Sequence, residues 1–203
     1  DVYKRQPNGV PTPVLQGVPD APISNTSLNN AYNNPSPFII NVSAVLSNVL
    51  GSTPADFPQL NDDTTIDIEM EIIASSAVSG NLRAFIVVIE EEINYTSPPG
   101  SNGETDFFNV MRKMLPTGNG TALSNFSSGS TTTINQSWNV ESYIKDVSQL
   151  AVVAFIQDVN TREIYQAALE KPIASESPFT TNVNLVSIAV SYTHLTLPTR
   201  RFV

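Results

Sequence analysis

Ile66, Ile68, Met70 and Ile72 alternate with Asp67, Glu69 and Glu71, the cleanest two-residue period in the chain. Successive strand side chains point to opposite faces, so this segment predicts a strand with one buried and one wet face. Residues 38–45 predict a strand before it. Residues 83–93, entered through Gly80-Asn81, predict a third strand in a hairpin with the segment from Ile66 to Ile72. Its run Phe85-Ile86-Val87-Val88-Ile89 is continuous, as in a strand covered on both sides. Residues 131–140, which hold Trp138, form a further strand, and residues 150–156 and 163–169 pair across the turn Asp158-Val159-Asn160-Thr161. Several strands of this length, separated by turn chemistry and with little helix, predict an antiparallel β-sandwich.

Two segments break the period of two. Residues 23–32 predict a short, Asn-rich helix capped by Ser24 or Asn25, ended by the linker Asn33-Asn34-Pro35-Ser36-Pro37. In residues 106–115, Phe107, Val110, Met111 and Met114 fall at helical spacing, which predicts a short helix or an irregular turn. Residues 95–105 and 116–128 are rich in Pro, Gly, Asn and Ser and predict loops.

The two ends carry a signal of a different kind. Asp1 to Gln6 back-translates to a string whose reverse complement, read one frame over, encodes Val190-Ser191-Tyr192-Thr193-His194. Such an inverted repeat is expected of translated sequencing-adapter ends, which are set aside before fold reasoning. The expected organisation is adapter sequence at 1–6 and 189–203 around a fragment of a longer gene, metagenomic in origin. Within it, a sandwich domain occupies 35–172 and the start of a further segment occupies 173–188.

Composition then narrows the chemistry. The formal net charge is −9, and without the two ends it nears −12, with 6 Lys and Arg against 18 Asp and Glu. Nucleic acid needs clustered cations and is therefore not an expected partner. The chain has no Cys, and its single His, His194, lies in the adapter segment. No apolar run approaches the roughly 18 residues of a membrane-spanning helix. The six Asn-x-Ser/Thr sites follow from the richness in Asn, Ser and Thr.

Hydroxyl nucleophiles are abundant, but no histidine stands in the fragment to activate them, and Lys113, Lys145 and Lys171 sit in no Ser-x-x-Lys motif. No catalytic residue, cofactor or metal is expected. Glu90-Glu91-Glu92 and Asp62-Asp63 read as a solvated strand end and an acidic loop. Asp67, Glu69 and Glu71 share a face, so either a cationic cross-strand neighbour or full exposure is expected. Trp138 reads as a core or rim aromatic. Arg112-Lys113 joins two cations to an apolar set. It reads either as a partner-binding helix or as a packed turn whose cations answer the acidic strand faces, and the second is preferred.

The segments Leu82 to Glu90, Gly100-Ser101-Asn102-Gly103, Val110-Met111-Arg112-Lys113-Met114-Leu115-Pro116, Phe155-Ile156-Gln157-Asp158 and Glu163 to Ala168 resemble, in this order, the outer membrane protein 28-related family. The resemblance covers about residues 37–172. It implies an immunoglobulin-like β-sandwich in a bacterial surface or secreted protein, with type IX secretion as a common export route. Arg112, Lys113, Gln157 and Asp158 are its structural motif residues. Members often carry a thioredoxin-like domain before the sandwich. Residues 7–34 resemble the tail of one plus a linker, with Pro11 as its cis-proline; active cysteines would lie upstream.

The resulting expectation is a non-catalytic, extracytoplasmic domain that presents loops 95–104 and 117–130 to a protein or surface-glycan partner. The alternative is the accessory domain of a thiol–disulfide protein.

Overall fold

The computed structural model describes residues 14–16, 18–19, 24–47 and 63–175. These are mainly β, with one short helix, and two sheets stack in a sandwich-like arrangement. Pro11 and the adapter-like ends lie outside the described residues, as does Asp62.

β1 (Val14–Leu15) and β2 (Val18–Pro19) form a small antiparallel ladder. The helix α1 (Asn25–Asn33) follows, and Ser24 is its N-cap: the Ser24 hydroxyl accepts from the Ser27 amide at 3.0 Å, and Ser27 Oγ accepts from the Ser24 amide at 2.8 Å. This reciprocal pairing satisfies two amide groups that a helix start leaves open.

The first large sheet holds β3 (Phe38–Ser47), β4 (Thr65–Ala74), β8 (Thr131–Asn139) and β11 (Ile173–Ala174), in the order β11-β3-β4-β8. β3, β4 and β8 run antiparallel in unbroken register, and β11 joins β3 in parallel. Ile66, Ile68, Met70 and Ile72 are buried as their alternation predicts. Asp67 and Glu69 are exposed, and Glu71 accepts a hydrogen bond from Asn41 Nδ2 at 2.8 Å across the β3–β4 pair.

The second sheet has the order β10-β9-β5-β6, from β5 (Leu82–Asn94), β6 (Asp106–Leu115), β9 (Leu150–Asp158) and β10 (Ile164–Glu170). The short β7 (Thr121–Ala122) pairs with Arg83 and Ala84 of β5, on the edge that β6 occupies further along. The predicted β9–β10 hairpin is present. The predicted hairpin between residues 66–72 and 83–93 is not. β4 already has β3 and β8 as neighbours, so residues 75–81 carry the chain across to the other sheet instead. Residues 106–115 form a strand, not the helix or turn their spacing predicts.

The core lies between the sheets. Ala84, Ile86 and Val88 of β5 and Val152, Ala154 and Ile156 of β9 meet Phe38, Ile66, Met70, Ile72 and Trp138 of the first sheet. Phe38 sits edge-on to Phe126 at 5.1 Å and to Tyr165 at 5.9 Å. The outer side of β5 is also covered: Val87, Ile89 and Ala151 are buried beside Met114, Val153 and Phe155, as the continuous apolar run predicts.

Candidate functional site

β5 runs between two groups of polar residues. At its Glu90 end the chain departs from the solvated reading of Glu90-Glu91-Glu92. Glu90 is fully buried, in phase with Ala84, Ile86 and Val88 on the core face. Its Oε2 lies 2.7 Å from Arg112 Nε, which donates to it, and 2.5 Å from a terminal guanidinium nitrogen. That terminal nitrogen is itself buried and makes the ionic contact without an aligned hydrogen bond. Oε1 accepts from the backbone amides of Lys145 and Asp146, both at 2.9 Å. Burying a carboxylate alone is prohibitive, and this one is offset by a cation and two amide dipoles.

A β-bulge delivers the arginine. Val88 pairs with Lys113 and Ile89 with Met111, so Arg112 has no residue opposite it. The extra residue bends β6 and re-aims its side chain, a common use of such insertions. The Arg112 guanidinium lies 5.7 Å from the Tyr143 ring centre, and the Tyr143 hydroxyl donates to the Arg112 carbonyl at 3.2 Å. Lys113 approaches Glu141 at 3.6 Å and stands 6.0 Å from the ring centre of Trp138, which is a core residue. Arg112 and Lys113 thus meet acidic groups from a bulged strand in place of the expected turn, and these are the buried Glu90 and the loop residue Glu141, not the acidic strand faces. Together these contacts fasten residues 140–149, with Val140, Ile144 and Val147 buried, across one end of the sandwich.

At the opposite end of β5, Arg83, Gln157 and Arg162 line a cleft of about 890 Å³, together with Phe85, Gly118, Asn119 and Val159. The β9–β10 turn is held from inside. Asp158 is buried, and its Oδ1 accepts from the Asn160 amide at 2.8 Å and the Thr161 amide at 3.3 Å. This is an Asx turn, in which the side chain substitutes for a backbone acceptor. Gln157 Nε2 donates to the Arg162 carbonyl at 2.7 Å. Gln157 and Asp158, marked by the resemblance, therefore build the turn that carries Arg162.

Arg162 has φ 68°, in the left-handed region. For a residue with a Cβ this conformation costs roughly 1–2 kcal/mol. Arg83 donates to the Asn119 carbonyl at 2.8 Å. Among the described residues neither Arg83 nor Arg162 forms an ion pair. Phe85, which lines the cleft, stacks on Phe155 at 4.9 Å. Gly120, φ 64°, brings the adjoining loop against β5: a Cβ there would lie 2.5 Å from the Ala84 carbonyl oxygen.

Tyr165 has a displaced acidity. Burial raises its phenol above the ordinary 10.0, and the negative charges of Glu163 and Asp158 push it the same way. Among the described residues no cluster of three or more His, Asp or Glu could hold a metal ion. Among them, too, no helix is long and apolar enough to cross a membrane. Sequence reasoning missed Glu90 and Arg162. The first is legible from its phase with Ala84, Ile86 and Val88; the second carries no sequence signal.

No family model matches the chain, and no curated protein does. Two solved structures from Porphyromonas gingivalis are similar to it. HBP35 superposes with a TM-score of 0.54 at 14% identity, over 85% of this chain and 49% of that one. A domain of the outer membrane lipoprotein Omp28 gives 0.43 at 15% identity, over 69% of this chain and 91% of that one. The first likeness is one of fold. The chain spans about half the length of HBP35.

Proposed function

We propose that the chain is a non-catalytic, extracytoplasmic, immunoglobulin-like sandwich of a bacterial surface or secreted protein, which presents its rims to a partner. The observation that carries this reading is the commitment of Glu90. Its two carboxylate oxygens are spent on Arg112 and on the Lys145 and Asp146 amides, so the buried acid serves to hold the frame. Connecting segments leave the two ends, the exposed 95–104 from one and 117–130, anchored by β7 and the buried Phe126, from the other. Binding residues are commonly carried this way. The surface location is supported by the sequence resemblance to the outer membrane protein 28-related family.

The test is protease treatment of intact cells that express the whole gene. Cleavage in the 95–104 or 117–130 loops without lysis is the expected result, and cleavage only after lysis overturns the reading.

A second reading, the accessory domain of a thiol–disulfide protein, is favoured by the length of HBP35, which leaves room for another domain. An upstream reading frame with a Cys-x-x-Cys pair supports it, and a frame without cysteines removes it.

A further inference from the structure

We infer that the cleft between Arg83 and Arg162 binds the carboxylate of an acidic sugar, a uronic acid unit of a glycan. The inference rests on the partner-binding role proposed above and supplies the ligand class. Four observations carry it.

In a chain of net charge −9, two guanidinium groups line one cleft, and neither is paired with a carboxylate among the described residues. Every other described cation has an acidic or aromatic partner: Arg112 with Glu90, Lys113 with Glu141, Lys145 over the Tyr95 ring and Lys171 with Glu91. The two cleft arginines retain unspent donors, because among the described residues Arg83 gives one N–H to the Asn119 carbonyl and Arg162 gives none from its side chain. A guanidinium is built for two-point contact with a carboxylate.

Arg162 also occupies a backbone conformation that Gly or Asn adopts more easily, at φ 68°. A long cationic side chain at such a position is strain without local return, and strain of this kind gathers at functional sites. The turn is rigid: the Asp158 carboxylate and the Gln157 amide hold it from both sides. Its two acidic neighbours, Asp158 and Glu163, lie near Tyr165.

The remaining lining identifies a sugar. Gln157 donates through its amide nitrogen and keeps its oxygen free to accept, and the exposed Asn119 side chain does both. Hydroxyl groups need such mixed partners, whereas a phosphate or sulfate takes donors alone. About 890 Å³ falls within the range of small-ligand sites and admits a short oligosaccharide. An acidic peptide added as a strand is disfavoured on β5 itself, whose two edges are taken here by β7 and β9.

The experiment titrates the full 203-residue chain with a galacturonic acid trisaccharide and with its methyl ester, followed by amide NMR. The acid is expected to shift Gly118, Asn119, Gln157 and Val159, at least tenfold more tightly than the ester and more weakly as salt rises. Arg162→Gly is expected to weaken binding at least tenfold while the melting temperature holds or rises, an outcome that a structural role for the arginine would not give. Arg83→Gln should weaken it similarly. No shift with either sugar, equal binding of acid and ester, or full competition by inorganic phosphate or a poly-glutamate peptide overturns the inference. Chromatography of the recovered sugar separates the two claims. Cleavage would overturn the non-catalytic reading and leave the site standing, whereas intact sugar without binding overturns the site alone.

Discussion

The two ends of β5 use arginine in opposite ways. At the Glu90 end, Arg112 is largely buried, meets its carboxylate at 2.5 Å and sits in a bulge that aims it inward. At the Arg83 end, Arg162 is exposed, stands in a strained backbone position and meets no carboxylate among the described residues. Removing a cation from the first end strands a buried charge. At the second, Arg162→Gly removes a cation and a Cβ together and so relieves strain. In an acidic protein with few cations, this contrast separates side chains that hold the fold from those left available for contact.

The largest effect that would break the comparison lies at the closed end. Arg112→Ala is expected to cost about 3–5 kcal/mol in denaturant unfolding, because Glu90 keeps its burial and loses its counter-ion. The double change Glu90→Leu with Arg112→Met should cost much less than the single one, and equal losses would show that the pair is not what stabilises this end. Next comes Gly120→Ala. Its φ of 64° and a Cβ set 2.5 Å from the Ala84 carbonyl should together cost about 2–3 kcal/mol. Arg162→Gly sharpens the contrast from the other side, with an expected gain of roughly 1 kcal/mol in the same assay.

The smallest effect is alkaline. The Tyr165 phenol is raised in the folded chain by burial first, then by Glu163 and Asp158. Its contribution is therefore fully present below the unfolded value near 10.0 and is lost as pH rises through the higher folded value. Unfolding free energy should fall over that window, and less so in Tyr165→Phe.

Much of this frame is legible in the sequence. The alternation through β4, the α1 cap at Ser24 and the β9–β10 hairpin depend on local periodicity and turn residues, which the sequence displays directly. β6 misleads for a physical reason. Arg112 is an added bulge residue that shifts the strand's phase, and Asn109 adopts φ 52° without breaking the register. Phe107, Val110, Met111 and Met114 consequently fall at helical spacing on a strand. The β4–β5 connection was equally hidden, since short linkers look alike whether they close a hairpin or cross between sheets. Glu90 is concealed by its company: three adjacent glutamates suggest water, although strand geometry turns the first to the core. The cleft arginines come from residues 79 positions apart in the numbering, Arg83 and Arg162, and only the folded sheet brings them together.

The most direct test is amide hydrogen exchange at Lys145 and Asp146, two exposed residues whose backbone N–H groups donate to Glu90 Oε1 at 2.9 Å. Exchange as slow as in β5 and β9, accelerated to loop rates by Glu90→Leu, is the result expected if the buried acid ties residues 140–149 to the sheet. Exchange at loop rates in the unaltered chain would contradict it.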